Sequence, residues 1–410
     1  MNILYLLLSK QRFKMENNSH YLSNVKLSGY KSIIDVDVSL KDGLNIIIGK
    51  NAAGKTNFLT FLNEVLDFSF DGLINFSSEM RFKGKSYISI KSKRTIAEED
   101  IKNIHRISKS YVETKIEVDN NVIFQDSDLE ILNEVINKES LYIYPTFVKH
   151  GLPKEYYLVD SSFSFKVDSE GYSEDLVSKV LSPNTPYFIR SLLASLIFFL
   201  IKGKDASVKK VETSFHDFFK ELEEVSCLLN MYSPIEKIKF NENFNFFLDE
   251  ETNEYTINNL FIEFNVQGSW IPFNNLSDGT KRLFYIITEI GFNGVVHFDN
   301  DRHGYHNANR HRTILIEEPE LGVHPHQLMA LMNFLKAESH NKQIIVTSHS
   351  PIALDVLDEN ELDRIIIAYS ENRKEGTQLR HLENDEKEKA IAYLENDYLS
   401  DYWKYSDLEK

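Results

Sequence analysis

The stretch Gly49-Lys50-Asn51-Ala52-Ala53-Gly54-Lys55-Thr56 constrains this chain more than any other. It reads G-x-x-x-x-G-K-T, follows the apolar run Leu44-Asn45-Ile46-Ile47-Ile48, and leads into Asn57-Phe58-Leu59-Thr60-Phe61-Leu62. A buried strand that enters a glycine-containing turn and leaves it as a helix is the context of a phosphate-binding loop. The glycines allow the tight turn and bring backbone N–H groups onto phosphate oxygens with no Cβ in the way. The helix start adds unpaired N–H groups and the positive end of its dipole. Residues 49–57 are therefore expected to hold nucleotide phosphates. Lys55 would reach the β- and γ-phosphates, and the Thr56 hydroxyl would ligate Mg2+.

A chain of 410 residues can bury a large core, as one domain with an insertion or as two domains. Its net charge of −16 argues against a general nucleic-acid binder, because counterion release needs clustered cations. The run Arg81, Lys83, Lys85, Lys91, Lys93 and Arg94 is the best local exception, and reads either as a nucleic-acid contact or as a solvated β-hairpin. Cys227 is the single cysteine, which excludes an intrachain disulfide and a cysteine metal cluster and suits a reducing, cytoplasmic setting. The apolar run Leu192 to Ile201 is too short for a membrane span and is expected to be a buried helix. Met1 to Leu8 lacks the leading positive charge and cleavage site of a signal peptide. A second methionine, Met15, precedes a polar stretch, so residues 1–14 read as a dispensable extension.

Along the chain, alternating patterns at Leu22–Leu27 and Asp35–Leu40 predict a β-rich opening, and a helix is predicted from Asn57 to about Phe68. Short strands follow, clearest at Tyr87–Ile90, Thr114–Val118 and Leu141–Tyr144. Helical patterns run from Ser173 to Tyr232, and strands return from Ile238 to Phe264. From Leu276 the texture is α/β. Helices are predicted at Thr280–Ile290 and His326–Ala337, strands at Thr313–Ile316, Gln343–Thr347 and Arg364–Ala368, and a last helix at Glu386–Glu395. Strands alternating with helices predict a parallel sheet covered on both faces. The expected fold class is an α/β P-loop NTPase with an extension at 1–20, a β-rich lobe at 21–172, a helical insertion at 173–235 and an α/β lobe at 236–410.

Three further motifs carry chemistry. Thr313-Ile314-Leu315-Ile316-Glu317-Glu318-Pro319 is an apolar strand ending in two acids, and in a parallel sheet that end is where ligands bind. Glu317 would hold Mg2+ through water, and Glu318 would polarise the attacking water as general base. Gln343 to Ser350 is a second buried strand, ending at His349, which is placed to bond a γ-phosphate and sense its presence. Ser348 and Ser350 beside it do not make a hydrolase triad, since no G-x-S-x-G elbow exists. Leu276-Ser277-Asp278-Gly279-Thr280 puts Ser, Asp and Gly at a helix start, which taken alone reads as a helix cap.

In this order the four elements resemble the ABC-type ATPase heads of the RecF, SMC and OLD-like class. Gly49 to Thr56 matches the Walker A loop, Ser277-Asp278-Gly279 the signature motif, Ile314 to Glu318 Walker B and His349 the switch histidine. Glu320 to Pro325 falls where the D-loop does. The resemblance implies ATP and Mg2+ as ligands and a mechanism that needs two heads. Ser277, Asp278 and Gly279 would act in trans on ATP held by the opposite Lys55 and Thr56, with Glu318 and His349 catalytic. Within the class the chain is similar to ATPase subunits of PARIS- and Septu-type anti-phage systems. That implies a dimer or an oligomer of dimers controlling a separate effector, a TOPRIM or HNH nuclease, with no membrane partner. Residues 350–410 are too few for a fused TOPRIM domain. The alternative is a RecF-like repair ATPase that binds DNA across the closed dimer. A transporter head fits poorly, because the span from Thr56 to Leu276 is much longer than in such heads. Glu317 stands where many relatives carry Asp, and Gln125 is the residue put forward for the Q-loop glutamine. Lys31 is either near the nucleotide or a surface lysine. The loop holding His297, Asp299, Asp301, His303, His306 and His311 is either a metal site or a polar insertion.

Overall fold

A computed structural model describes residues 20–96, 112–128, 145–153, 166–167, 222–241, 245–249, 254–259, 261–291, 313–371, 374–395 and 397–406, with isolated positions at 131–132, 135 and 188. Residues 1–19 of the extension expected at 1–20, the strand at 141–144, most of the helical insertion and the histidine-rich loop lie outside them.

The opening alternation forms a hairpin of β1 (Tyr21–Tyr30) and β2 (Ile33–Ser39). Next comes β3 (Leu44–Ile48), buried at every position, and then α1 (Lys55–Leu66). This helix begins two residues earlier than its apolar pattern predicts, because Gly54 at φ 92° turns the chain straight into it. β4 (Phe76–Lys83), β5 (Tyr87–Arg94), β6 (Glu113–Val118) and β7 (Asn121–Asp126) extend the hairpin into a six-stranded antiparallel sheet, ordered β2-β1-β4-β5-β6-β7. β8 (Thr146–Val148) is a three-residue strand with no signal of its own in the sequence. Two three-stranded sheets follow. One pairs β11 (Asn245–Asp249) and β12 (Glu254–Asn258) with β9 (Lys166–Val167), and the other joins β10 (Ile235–Phe240), β13 (Ile262–Val266) and β14 (Ser269–Pro272).

The last third alternates as predicted: α2 (Asp278–Gly291), β15 (Thr313–Glu317), α3 (Pro325–Glu338), β16 (Gln343–Ser348) and β17 (Ile365–Tyr369). It does not end with the expected helix, here α4 (Asn384–Leu394). Beyond it α5 (Leu399–Tyr405) packs back on the body through Leu399 and Trp403, and the Ser400 N–H donates to Asp355 at 2.7 Å. The hairpin strand β18 (Gln378–His381) was likewise not predicted.

The second six-stranded sheet, ordered β18-β17-β3-β16-β15-β8, is parallel except for β18. Its strands are apolar runs because both faces are covered. Ile46, Ile314, Ile344 and Ile365 face one core with Phe284 of α2 and Leu331 and Phe334 of α3. Ile47, Leu315, Ile345 and Ile366 face the other, where α1 lies between the two large sheets with Phe58, Phe61 and Leu62. Each side chain so buried contributes roughly 1.5–3 kcal/mol. Gln343 ties the sheets together by accepting from Leu22 N–H at 2.8 Å and donating to Leu22 O at 2.8 Å. With β3 seated between β16 and β17, the segments at 21–172 and 236–410 contribute strands to one sheet. Among the described residues no helix is long and apolar enough to cross a membrane.

Candidate nucleotide-binding site

The C-terminal ends of β3, β16, β15 and β8 meet at one edge of the parallel sheet, which brings residues 49–56, 349, 317–318 and 149–150 together. In the loop after β3, Ala52 (φ 66°) and Gly54 (φ 92°) adopt left-handed backbone, and Ala53 N–H closes the turn on Lys50 O at 3.2 Å. Lys55 is 3% exposed and its Nζ donates to Gly49 O at 2.6 Å and Lys50 O at 3.0 Å. The ammonium is thus held inside the loop it would serve. Gly49 is required for space, since a Cβ there would lie 2.1 Å from Ala368 O. Gly54 is required for both space and conformation, a Cβ there falling 1.8 Å from Thr377 Oγ1. Thr377 and Asn57 both donate to Ser32 Oγ at 2.8 Å, so the β1–β2 turn and the β17–β18 connection brace the loop. Gly54→Ala therefore adds a left-handed penalty to a clash. Urea unfolding should show a loss of about 2–4 kcal/mol.

Glu317 is 4% exposed. Its Oε2 accepts from His150 Nδ1 at 2.8 Å and from His150 N–H at 3.3 Å. Burial pushes this carboxyl up, but hydrogen bonds from Thr56 and His150 outweigh it and hold it below the usual range, so it is ionised at neutral pH. Arg282, buried in α2, donates to Glu317 O at 2.8 Å and to Lys149 O. It pins the ends of β15 and β8 to each other, and burial lowers its own guanidinium to about 10.

Glu318 sits at φ 43°, a left-handed backbone that costs a non-glycine residue roughly 1–2 kcal/mol. Its N–H donates to Thr347 O at 2.9 Å, fixing it to the end of β16. His349 Nδ1 lies 3.9 Å from Glu318 Oε1 and 3.1 Å from Glu320 Oε1. Glu320, 7% exposed at its side chain, also accepts from Ser348 Oγ at 2.7 Å, His349 N–H at 2.7 Å and Ser350 N–H at 3.2 Å. One carboxylate oxygen therefore shapes the whole 348–350 segment. Ser277 Oγ meets Thr280 Oγ1 at 2.8 Å and accepts from Thr280 N–H at 3.2 Å, a cap at the head of α2. Ser277 and Asp278 are exposed there. A Cβ on Gly279 would lie 2.3 Å from Gly322 O, so this helix start is packed against the turn that follows Glu318.

Sequence reasoning missed His150, Arg282 and the inward role of Glu320. His150 follows a three-residue strand, and only its pairing with β15 gives it meaning. Gln125 lies on β7, the outer strand of the antiparallel sheet, and not at the site edge. Lys31 is exposed, with Nζ 4.8 Å from the Tyr30 ring centroid. The expected basic run is compensated in part: Arg81 pairs with Glu79 at 2.7 Å and Lys93 with Glu113 at 3.3 Å. Arg94 is buried, bonding Leu73 O at 2.7 Å, and is not part of that surface. Locally paired cations release fewer counterions to a phosphate backbone, which weakens the nucleic-acid reading of this face.

The edge fits a nucleotide with a divalent ion. A glycine cradle that a Cβ would fill, a buried ammonium and an ionised buried carboxylate bonded to Thr56 are the donor set such a ligand needs. Among the described residues no group of three His, Cys, Asp or Glu side chains could hold a metal by itself, so an ion here depends on phosphate oxygens.

A family model described as "AAA domain, putative AbiEii toxin, Type IV TA system" matches residues 44–355, well over half of the chain. An uncharacterized protein of Dictyostelium discoideum is 25% identical over 128 residues, which are 31% of this chain and 16% of that protein. The chain thus spans a small part of the curated relative it matches. Among solved structures, an SMC head bound to the C-winged-helix domain of ScpA superposes with a TM-score of 0.52 at 14% identity, covering 89% of this chain and 99% of that one. An SMC head with an extended coiled coil, bound to the C-terminal domain of ScpA from Pyrococcus furiosus, gives 0.50 at 13% identity, covering 92% and 99%. These likenesses establish the fold alone, which is that of an SMC head.

Proposed function

Since the chain belongs to this AAA-domain family, we propose that it binds and hydrolyses ATP with Mg2+ as a pair of heads that sandwich the nucleotide. The observation that carries the reading is the single sheet edge shared by Lys55, Thr56, Glu317, Glu318 and His349. Lys55 and the loop N–H groups hold phosphates, Thr56 and Glu317 hold the ion, Glu318 takes the proton of the attacking water, and His349 bonds the γ-phosphate. The ion, when bound, neutralises charge on the phosphates. Ser277, Asp278 and Gly279 serve the partner head's nucleotide. Their support is the exposure of Ser277 and Asp278 and the packing of Gly279 on the turn after the catalytic acid. Purified protein that neither binds a fluorescent ATP analogue nor releases phosphate in Mg2+ overturns the proposal.

Glu320 acts as a positioning residue for His349. Glu320→Ala should lower kcat about 10–100-fold while KM for ATP moves less than threefold, since a misplaced catalytic group costs rate rather than ground-state binding. Glu320→Gln should recover part of that rate, because its amide oxygen still accepts from the 348–350 segment. A KM rise with unchanged kcat would reassign Glu320 to binding.

On the biological level the reading is an ATP-gated sensor or scaffold for a separate effector, a nuclease of the TOPRIM or HNH type, in anti-phage defence. Its support is the order and spacing of the motifs, and its test is co-purification with the neighbouring gene product. The family description favours a second reading, in which the chain is itself the toxic member of a pair. Growth arrest on expressing this chain alone supports that one. The RecF-like alternative predicts salt-sensitive, ATP-dependent DNA binding by the isolated protein.

A further inference from the structure

We infer that His150 supplies a nitrogen ligand to the divalent-ion site beside the phosphate loop, and that the site in consequence favours Mn2+ over Mg2+. The inference rests on the nucleotide-site reading above and adds to it the class of ion. His150 Nδ1 and Glu317 Oε2 are 2.8 Å apart. Neighbouring ligands of a six-coordinate ion with bonds of ~2.1 Å stand about 3 Å apart, so the pair already has the spacing of two adjacent coordination positions. Thr56 bonds the same carboxylate, so Glu317 is the group that both other donors meet.

The backbone that carries the ring is also held on both sides. The His150 N–H donates to Glu317 Oε2 at 3.3 Å, and Arg282 bonds the carbonyl of Lys149 just before it. Without an ion Nδ1 carries the proton it donates to Glu317; an ion takes the other tautomer, and because the imidazole is 61% exposed Nε2 can hold that proton in water while Nδ1 turns a lone pair to the ion. A donor set of hydroxyl, carboxylate and phosphate oxygens would suit Mg2+, which demands oxygen ligands. Replacing one oxygen by an imidazole nitrogen moves the preference toward first-row transition ions. Arg282 and His150 thus belong to one device, in which the arginine holds the strand ends and the histidine selects the ion.

The test uses the full chain with Mn2+ and β,γ-methylene-ATP, read by pulsed EPR. Bound Mn2+ should show coupling to an imidazole nitrogen, and growth with 15N-histidine should convert that coupling from 14N to 15N, separating it from adenine nitrogens. In competition, the wild type should prefer Mn2+ to Mg2+ at least about tenfold more strongly than His150→Gln does. His150→Gln should also lose the histidine coupling while still binding the nucleotide in Mg2+. A Mn2+–nucleotide complex with no 15N-histidine coupling overturns the inference and leaves the nucleotide site intact, as does an unchanged ion preference in His150→Gln. Absence of any bound nucleotide overturns both. Should the variant fail to fold, the labelling experiment on the wild type decides alone.

Discussion

Glu318→Gln protein should load with ATP as the wild type does and turn it over about 10³-fold more slowly. Glutamine keeps the volume and reach of the side chain but cannot accept a proton from water. The change leaves the Glu318 N–H on Thr347 O, so the backbone that holds β15 to β16 is unaffected. Because ATP is then bound and not consumed, the two-head state should accumulate, and sedimentation velocity should show a dimer with ATP that reverts on its removal. The strained φ of 43° at this position works against folding, and that cost is consistent with a residue kept for chemistry rather than packing. Phosphate release at the parental rate would remove Glu318 from the mechanism and make Glu320 or a water chain the next candidate. Retained dimer without ATP would instead show that nucleotide is not the glue.

Lys55→Ala should lower ATP affinity by at least about 100-fold, a loss of roughly 3 kcal/mol from charge-assisted bonds to phosphate. The ammonium is 3% exposed and already bonded to Gly49 O and Lys50 O, so it needs no reorganisation to meet a phosphate between those turns. Truncation also leaves two loop carbonyls without that donor, and the loop should become less ordered. A fluorescent analogue titration measures the affinity directly. The stabilisation that ATP confers on wild-type melting should vanish in the variant, since a ligand stabilises only as far as it binds. Normal binding by Lys55→Ala would mean that the phosphates sit elsewhere.

Much of this site can be read along the chain. The β3–loop–α1 unit is local: an apolar run, two glycines with distinct needs for space and conformation, and an apolar helix face all lie within two dozen residues. The acids after β15 and the histidine after β16 are legible for the same reason, since each ends a continuous apolar strand. The family relationship then orders these pieces, and the fold agrees with it.

What the sequence alone determined is thus the set of strand ends that carry chemistry and the expectation of a parallel sheet to gather them. The tertiary structure decided which other groups meet them there. β8 is too short to signal itself, and His150 becomes a site residue only because Val148 pairs beside Ile316. Arg282 looks like one more charge on an amphipathic helix until its guanidinium is seen on two strand-end carbonyls. Glu320 reads as a turn residue until it is found organising residues 348–350. The basic hairpin reads as a patch until Glu79 and Glu113 are found paired with Arg81, Lys91 and Lys93. The physical reason is common to the first three. Secondary structure follows from backbone preferences and periodicity within a few residues, whereas a buried charge is defined by partners that strand pairing brings from more than a hundred residues away in His150 and Arg282, and from across the next strand in Glu320.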